Sequence, residues 1–325
     1  MATIQDIADE VGISKAAVSR ILNKKGSFNK ATISRVFQVA KQLNYTLPND
    51  AQLLNEQYFK VIGAVFPIGQ SLYYSVLVSL LEEVAYSYGY SLMVCSSMYD
   101  KEKEEEFFNA LRDKRISGII YGSFNSQVEV PTSDGWPIVT VGHRISEEIT
   151  VIKSDNYAAG RIAAKHLIGK GCKNFLYISA YQVGEKSDER FQGFSEELSK
   201  RNLPMRAYFT GGNDNPENIF SAITQMFLDN PDAEAIFVES QALAIKCLKV
   251  CDALGIVIPR QMKLVSYGTE ALSLYSYPEV TLVVENTAQI AYEAVTALVE
   301  QIEKSSNTQK HEIVLPVSLS QKQTS

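Results

Sequence analysis

Arg20 is the residue with the clearest reason to do chemistry. A guanidinium donates two parallel hydrogen bonds, and the O6 and N7 atoms of guanine accept such a pair in the major groove of duplex DNA. Lys15, Ala16 and Ser19 stand at helical spacing around it, with Ser14 just before and Asn23 just after. Ala16 is small enough to admit a close approach or to touch a thymine methyl. Ser14, Ser19 and Asn23, with Lys24, Lys25 and Lys30, suit phosphate oxygens, and Thr3 joins them as a candidate DNA contact at the start of the chain. Isolated basic residues are more often a solvated surface, so the charges alone decide nothing. Their spacing decides for DNA.

Other chemistries are not legible. No phosphate cradle of the form Gly-x-x-x-x-Gly-Lys-[Ser/Thr] occurs, no Gly-x-Ser-x-Gly elbow and no His-Glu-x-x-His. His143, His166 and His311 are far apart and lack metal-ligand spacing. Glu104, Glu105 and Glu106 read as a solvated helix face. The expectation is a non-enzyme with no cofactor and no metal.

The elements that must position Arg20 follow from local signals. Thr3-Ile4-Gln5-Asp6 is a capping-box start, and Ile4, Ile7, Ala8 and Val11 recur at helical spacing. Gly12 ends that helix in a left-handed turn, and Ser14 caps a second helix over 15–23. A third helix, about 30–43, carries Ile33, Val36, Phe37, Ala40 and Leu43 on its apolar stripe. Three short helices with one shared apolar face make a helix-turn-helix head. Its second helix would enter the major groove.

Charge divides the chain in the same place. Residues 1–48 hold seven Lys/Arg against three acids, and the chain totals of 31 and 37 then leave 24 basic and 34 acidic residues for the rest. A basic end on an acidic body fits a nucleic-acid-binding head on a second module. Four cysteines, Cys95, Cys172, Cys247 and Cys251, form no Cys-x-x-Cys pair and are too sparse for a disulfide framework. No apolar run approaches the roughly 18 residues of a membrane span, and no secretory signal is visible. The compartment reads as cytoplasmic.

From Val61 the chain alternates strand and helix. The spacing predicts strands over 61–66, 91–96, 118–121 and 138–141, and then a second series: strands 174–179, 207–210, 235–238 and 263–267, with helices between. The segments 281–285, 287–304 and 312–319 close the chain. The fold class is α/β: a three-helix head joined by a hinge to a body of two doubly wound parallel-sheet subdomains, with the ligand expected at the strand C-termini in the cleft between them. The divisions are 1–46 for the head, 47–60 for the hinge and 61–325 for the effector-binding and dimerisation body. The N-subdomain is taken as about 61–154 plus a crossover near 268–285, and the C-subdomain as about 155–267 plus 286–325.

Residues 3–23, Thr-Ile-Gln-Asp-Ile-Ala-Asp-Glu-Val-Gly-Ile-Ser-Lys-Ala-Ala-Val-Ser-Arg-Ile-Leu-Asn, resemble the head of the LacI–GalR bacterial transcription regulators. Leu43-Asn44-Tyr45 is similar to the close of that family's third helix. Asp155-Asn156-Tyr157-Ala158-Ala159-Gly160, Arg190-Phe191-Gln192-Gly193-Phe194 and Leu254-Gly255-Ile256-Val257-Ile258-Pro259 are similar to phrases of its body. The body resembles the periplasmic sugar-binding-protein fold.

The resemblance implies a hinge helix whose leucine wedges into the minor groove, a role falling on Leu54 and bending the duplex. Pro48 is displaced by one position, and Asp50 and Glu56 stand where Arg is common. It implies an effector cleft in which Arg190 grips hydroxyls or a carboxylate while Tyr73 and Tyr74 stack on the ligand. A further ligand position falls on Gly142, with His143 next to it, another on Ser240-Gln241, and an aromatic one near Asn213 or Asp214. The family's late-strand aspartate falls on Gly268, so Thr269 or Glu270 would have to replace it.

The implied function is a DNA-binding regulator, most simply a repressor, acting on a palindromic operator of double-stranded DNA. It would be a homodimer, with pairing of dimers left open, controlled by a small effector such as a sugar or sugar derivative. A body that senses a protein partner remains an alternative. An α/β enzyme with an appended head is a weaker one.

Overall fold

The structure, a computed structural model, describes residues 3–22, 28–43, 60–123, 125–131, 135–180, 189–210, 216–303 and 312–325. The chain divides into two units, residues 1–60 and 61–325.

The first unit holds α1 (Ile4–Val11), α2 (Lys15–Leu22) and α3 (Lys30–Gln42). The Thr3 hydroxyl accepts the Asp6 N–H at 3.3 Å, and the Asp6 carboxylate accepts the Thr3 N–H at 2.6 Å. This reciprocal pair satisfies two donors that a helix start would otherwise leave open. Gly12 takes φ 77° and returns its N–H to the Ala8 carbonyl, so α1 stops within one residue. Ile7, Ala8, Val18, Ile21, Leu22, Val36, Val39 and Ala40 close the core. One expectation fails. Phe37 and Leu43 are 42% and 37% exposed, and Val39 lies inside instead. The facing helices reach only the Val36–Val39–Ala40 side of α3, together with Ile33.

The second unit is built on two six-stranded sheets. The first orders β11 (Glu312–Leu315), β5 (Thr150–Ser154), β4 (Ile138–Val141), β3 (Gly118–Tyr121), β1 (Val61–Phe66) and β2 (Ser91–Ser96), with every pairing parallel. The second orders β12 (Val317–Ser320), β10 (Thr281–Glu285), β9 (Lys263–Gly268), β8 (Ala235–Val238), β6 (Phe175–Ser179) and β7 (Met205–Phe209). It is parallel except where β12 runs against β10. The central strands β1, β3, β4, β6 and β8 are buried along their whole length, which is why they read as unbroken apolar runs.

The helices follow the strands as α4 (Leu72–Ser87), α5 (Lys101–Arg112), α6 (Asn156–Gly169), α7 (Glu189–Ser199), α8 (Pro216–Asp229), α9 (Gln241–Leu254) and α10 (Thr287–Glu303). Short turns of tighter helix cover Ile68–Gln70 and Glu270–Tyr275.

The chain crosses between halves after β5, after β10 and after β11. The second crossing corrects the expected division. Residues 268–285 stay in the second half, where β10 pairs with β9. Residues from 287 move to the first, because Ile290, Ala291, Ala294, Val295 and Leu298 of α10 pack into the core of Leu77, Leu81 and Ile120. The single terminal segment expected over 312–319 is two strands in two sheets, parted at Pro316. Proline has no N–H to continue a ladder.

All four cysteines are buried and free. Burial pushes the Cys251 thiol up to about 12, so it behaves as a small apolar side chain.

Candidate functional site

Two faces concentrate the residues singled out above. The first is the outer side of α2. Val18, Ile21 and Leu22 are buried and fix the rotation of the helix about its axis. Lys15, Ala16 and Arg20 therefore stand exposed, with Ser19 half-buried beside them. Residues 15 and 19, and 16 and 20, are one helical repeat apart and share that side. Among the described residues neither Lys15 nor Arg20 forms an ion pair. Ser14 is committed to structure, since its hydroxyl accepts the Ala17 N–H at 3.2 Å. The Thr3 hydroxyl is likewise engaged with Asp6. Asn23 and Leu54 lie outside the described residues, as does the side chain of Lys30.

The second site forms where the strand C-termini of both halves meet. Arg190 lies in the first turn of α7, and its Nη1 donates to the Glu239 carbonyl at 2.7 Å and lies 3.6 Å from the Glu239 carboxylate. Its guanidinium carbon sits 4.2 Å from the centre of the Tyr267 ring. The Tyr267 hydroxyl donates to Glu285 at 2.7 Å, and the Ser154 hydroxyl reaches the same carboxylate oxygen at 3.3 Å. The Tyr73 hydroxyl lies near the same carboxylate and helps hold its pKa down.

Ser154 and Tyr73 belong to the first half of the body, and Tyr267 and Arg190 to the second. Glu285, on the crossing strand, is thus held from both sides. Burial pushes its carboxyl pKa up, and the hydroxyls of Tyr267 and Tyr73 and the charge of Arg190 pull it back. Burial raises the hydroxyl pKa of Tyr73 and Tyr267 well above the ordinary value, so both stay protonated as donors.

Two glycines set where Arg190 stands. A methyl group on Gly193 would overlap the Tyr157 carbonyl, and one on Gly160 would overlap the Arg190 carbonyl. Helices α6 and α7 touch backbone to backbone at these points, which fixes the first turn of α7 against the sheet. Asp155 caps α6 by accepting the Ala158 N–H at 2.8 Å. The recurring phrases around Asp155 and Arg190 are therefore scaffold as much as site.

Comparison with known proteins places both units of the chain. Residues 3–49 match the domain of bacterial regulatory proteins of the lacI family, and residues 164–325 match the periplasmic binding protein-like domain. A sucrose operon repressor of Streptococcus mutans is 28% identical over 320 residues, 98% of each chain. The chain belongs to the LacI family.

A periplasmic binding protein/LacI transcriptional regulator from Alkaliphilus metalliredigens, solved with D-xylulofuranose, is 25% identical and superposes with TM-score 0.71 over 82% of this chain and 98% of its own. The lac repressor dimer, bound to operator and the anti-inducer ONPF, shares the fold at 19% identity, with TM-score 0.68 over 99% of this chain and 98% of that one.

In this LacI-family chain the expected cleft residues are only partly gathered. Tyr73 and Arg190 meet around Glu285. Tyr74 packs edge-on against Tyr73 at 5.3 Å between ring centres and lies tilted against Phe66 at 5.7 Å. Gln241 is buried, and its amide oxygen accepts the Thr269 N–H at 3.3 Å. Ser240 stands half-buried at the start of α9, and His143 half-buried after β4. Glu270 is not brought to the cluster. Its exposed carboxylate pairs with Lys322 at 3.3 Å, and with Ser320 these contacts hold its pKa down. Asn213 and Asp214 lie outside the described residues.

Glu239, Tyr267, Glu285 and Ser154 were missed as site residues. Their signal is positional. Glu239 follows the apolar run of β8 directly, and Ser154 and Glu285 end β5 and β10. A polar residue at the C-terminal end of a parallel strand faces the ligand crevice of such a sheet.

Proposed function

We propose that this LacI-family regulator is a repressor that binds a palindromic operator as a homodimer. Its operator affinity is set by a small carbohydrate held beside Arg190. The observation that carries this is the double anchorage of Glu285, bonded by Ser154 of one half and Tyr267 of the other. A ligand entering there must meet both halves at once. It would change their relative orientation by favouring one of two arrangements of the body. The sucrose operon repressor and the xylulofuranose-bound structure support a sugar. The cytoplasm, where bacterial DNA lies, is its place of action.

A pair of heads reads a two-fold operator because one helix in one groove covers only part of a site. The face proposed for self-association is a groove of about 440 Å³ between α4 and the Glu270–Tyr275 turn, lined by Leu72, Val76, Leu80, Leu272 and Tyr275. Beside it Leu274 and Tyr277 are 81% and 90% exposed, apolar surface of the kind that partners cover.

Sedimentation of the full chain and of Tyr275→Glu tests the dimer. The expected result is a dimer for the parent chain and a monomer for the variant. A monomeric parent chain would sink it. Anisotropy of a labelled operator duplex, selected from random sequence, tests the switch. An added sugar should change operator affinity in the parent chain and leave Arg190→Ala unmoved. A full response in that variant would contradict the cleft.

A further inference from the structure

We infer that the cleft takes an uncharged, polyhydroxylated sugar and turns away sugar phosphates and other anions. The inference rests on the cleft around Arg190 being the effector site. A phosphate at Arg190 would find that cation already engaged. The guanidinium donates to the Glu239 carbonyl at 2.7 Å, lies 3.6 Å from the Glu239 carboxylate, and has its face on the Tyr267 ring at 4.2 Å. An anionic ligand would have to displace Glu239, which is only 5% exposed. A buried carboxylate robbed of its cation is strongly unfavourable. A second carboxyl, Glu285, is 7% exposed and shares the Arg190 field. With Glu285 ionised these described groups sum to a negative wall. With Glu285 protonated they sum to zero. Among these described groups neither state leaves an excess positive charge for a phosphate.

What the cleft does offer is neutral hydrogen-bonding capacity. Gln241 is 4% exposed and its Nε2 has no hydrogen-bond partner among the described residues. The side chain fills the room left by Gly268, where a Cβ would come within 2.5 Å of its Oε1. An amide donor thus stands at the position where the sequence lacks the family's aspartate. Thr287 Oγ1 and Asn156 Oδ1, each two residues beyond the strand ends that meet at Glu285, are also buried without partners. Buried polar atoms rarely stay unpaired. A sugar hydroxyl both donates and accepts, so a polyol suits an amide donor such as Gln241 and acceptor oxygens of this kind.

The test uses the full chain and four matched pairs: sucrose, glucose, fructose and ribose, each against its own monophosphate. Thermal shift identifies binders and calorimetry measures them. At least one uncharged sugar should bind, and its phosphate should bind at least about tenfold more weakly, the scale set by one unfavourable charge contact. Arg190→Ala should abolish binding. Gln241→Met, its melting temperature checked against the parent chain, should weaken the sugar by about tenfold, as loss of one buried hydrogen bond does. A phosphate that binds more tightly than its sugar, and loses that binding in Arg190→Ala, overturns the inference while leaving the cleft in place. Binding that survives Arg190→Ala overturns the cleft itself. No binding by any of the eight compounds overturns the carbohydrate reading and this inference with it.

Discussion

The outer face of α2 and the cleft around Arg190 each present an arginine, and the two are built in opposite ways. Arg20 is exposed and its neighbours Lys15 and Ala16 are exposed with it. Arg190 is half-buried, its donor on Glu239 and its face on Tyr267. A polyanion such as DNA needs cations held ready in solvent, so that binding releases counterions. A small ligand in a closing cleft needs groups fixed in place before it arrives, because their ordering would otherwise cost affinity. The same side chain suits either use, and the partners around it decide which.

The contrast sharpens with substitution. The largest expected effect is that of Arg190→Ala, which should abolish the effector response while operator affinity stays within about twofold; the check is operator anisotropy with and without sugar. Arg20→Ala should weaken operator binding by about tenfold to a hundredfold, the range for losing a bidentate base contact, and relax preference at one position of each half-site. A selection from random duplexes checks the second part. Salt should separate the sites as well. Raising ionic strength from 50 to 200 mM should lower operator affinity steeply and leave sugar affinity nearly unchanged.

Smaller effects probe the scaffold. Gly193→Ala forces α7 off α6 at the Tyr157 carbonyl and should destabilise the body by about 1–3 kcal/mol, read by denaturant melts. Glu285 gives a pH signature. Its pKa is raised on folding, so the folded body binds the extra proton and loses stability as pH rises out of the ordinary carboxylate range. Glu285→Gln should lack that slope, so its stability relative to the parent chain should improve from about pH 5 to pH 8. Carboxylates whose pKa is lowered, such as Glu312 beside Lys153 and Arg144, have the opposite slope in both proteins and cancel in the difference. Thr3→Ala, which removes one capping contact of α1, should cost the head about 1 kcal/mol.

Legibility in the sequence followed the distance over which each feature is determined. The head is local. A capping residue, a left-handed glycine and an apolar repeat lie within a few residues of one another, and α1 and α2 form where those signals put them. Phe37 escaped because which side of α3 is covered depends on two other helices. In the body the strands β1, β2, β3, β4 and β8 were readable from the sequence. The sheet to which a late strand returns was not, since that depends on packing of α10 against residues more than 200 positions away.

The cleft was legible where the family resemblance singles out a position, as with Arg190, Tyr73 and Gln241. Glu239, Tyr267 and Glu285 come from three strands and acquire meaning only through contact with one another. Glu270 misled because nearness along the chain to Gly268 is no guide to where a side chain points after a turn, and Lys322 takes it elsewhere.

The division of labour between the two arginines is tested most directly by operator affinity. The full chain, Arg20→Ala and Arg190→Ala would be titrated against one labelled palindromic operator at the same salt, without effector. The account predicts at least a tenfold loss for Arg20→Ala and an unchanged affinity for Arg190→Ala. Equal losses in both variants, or none for Arg20→Ala, would contradict it.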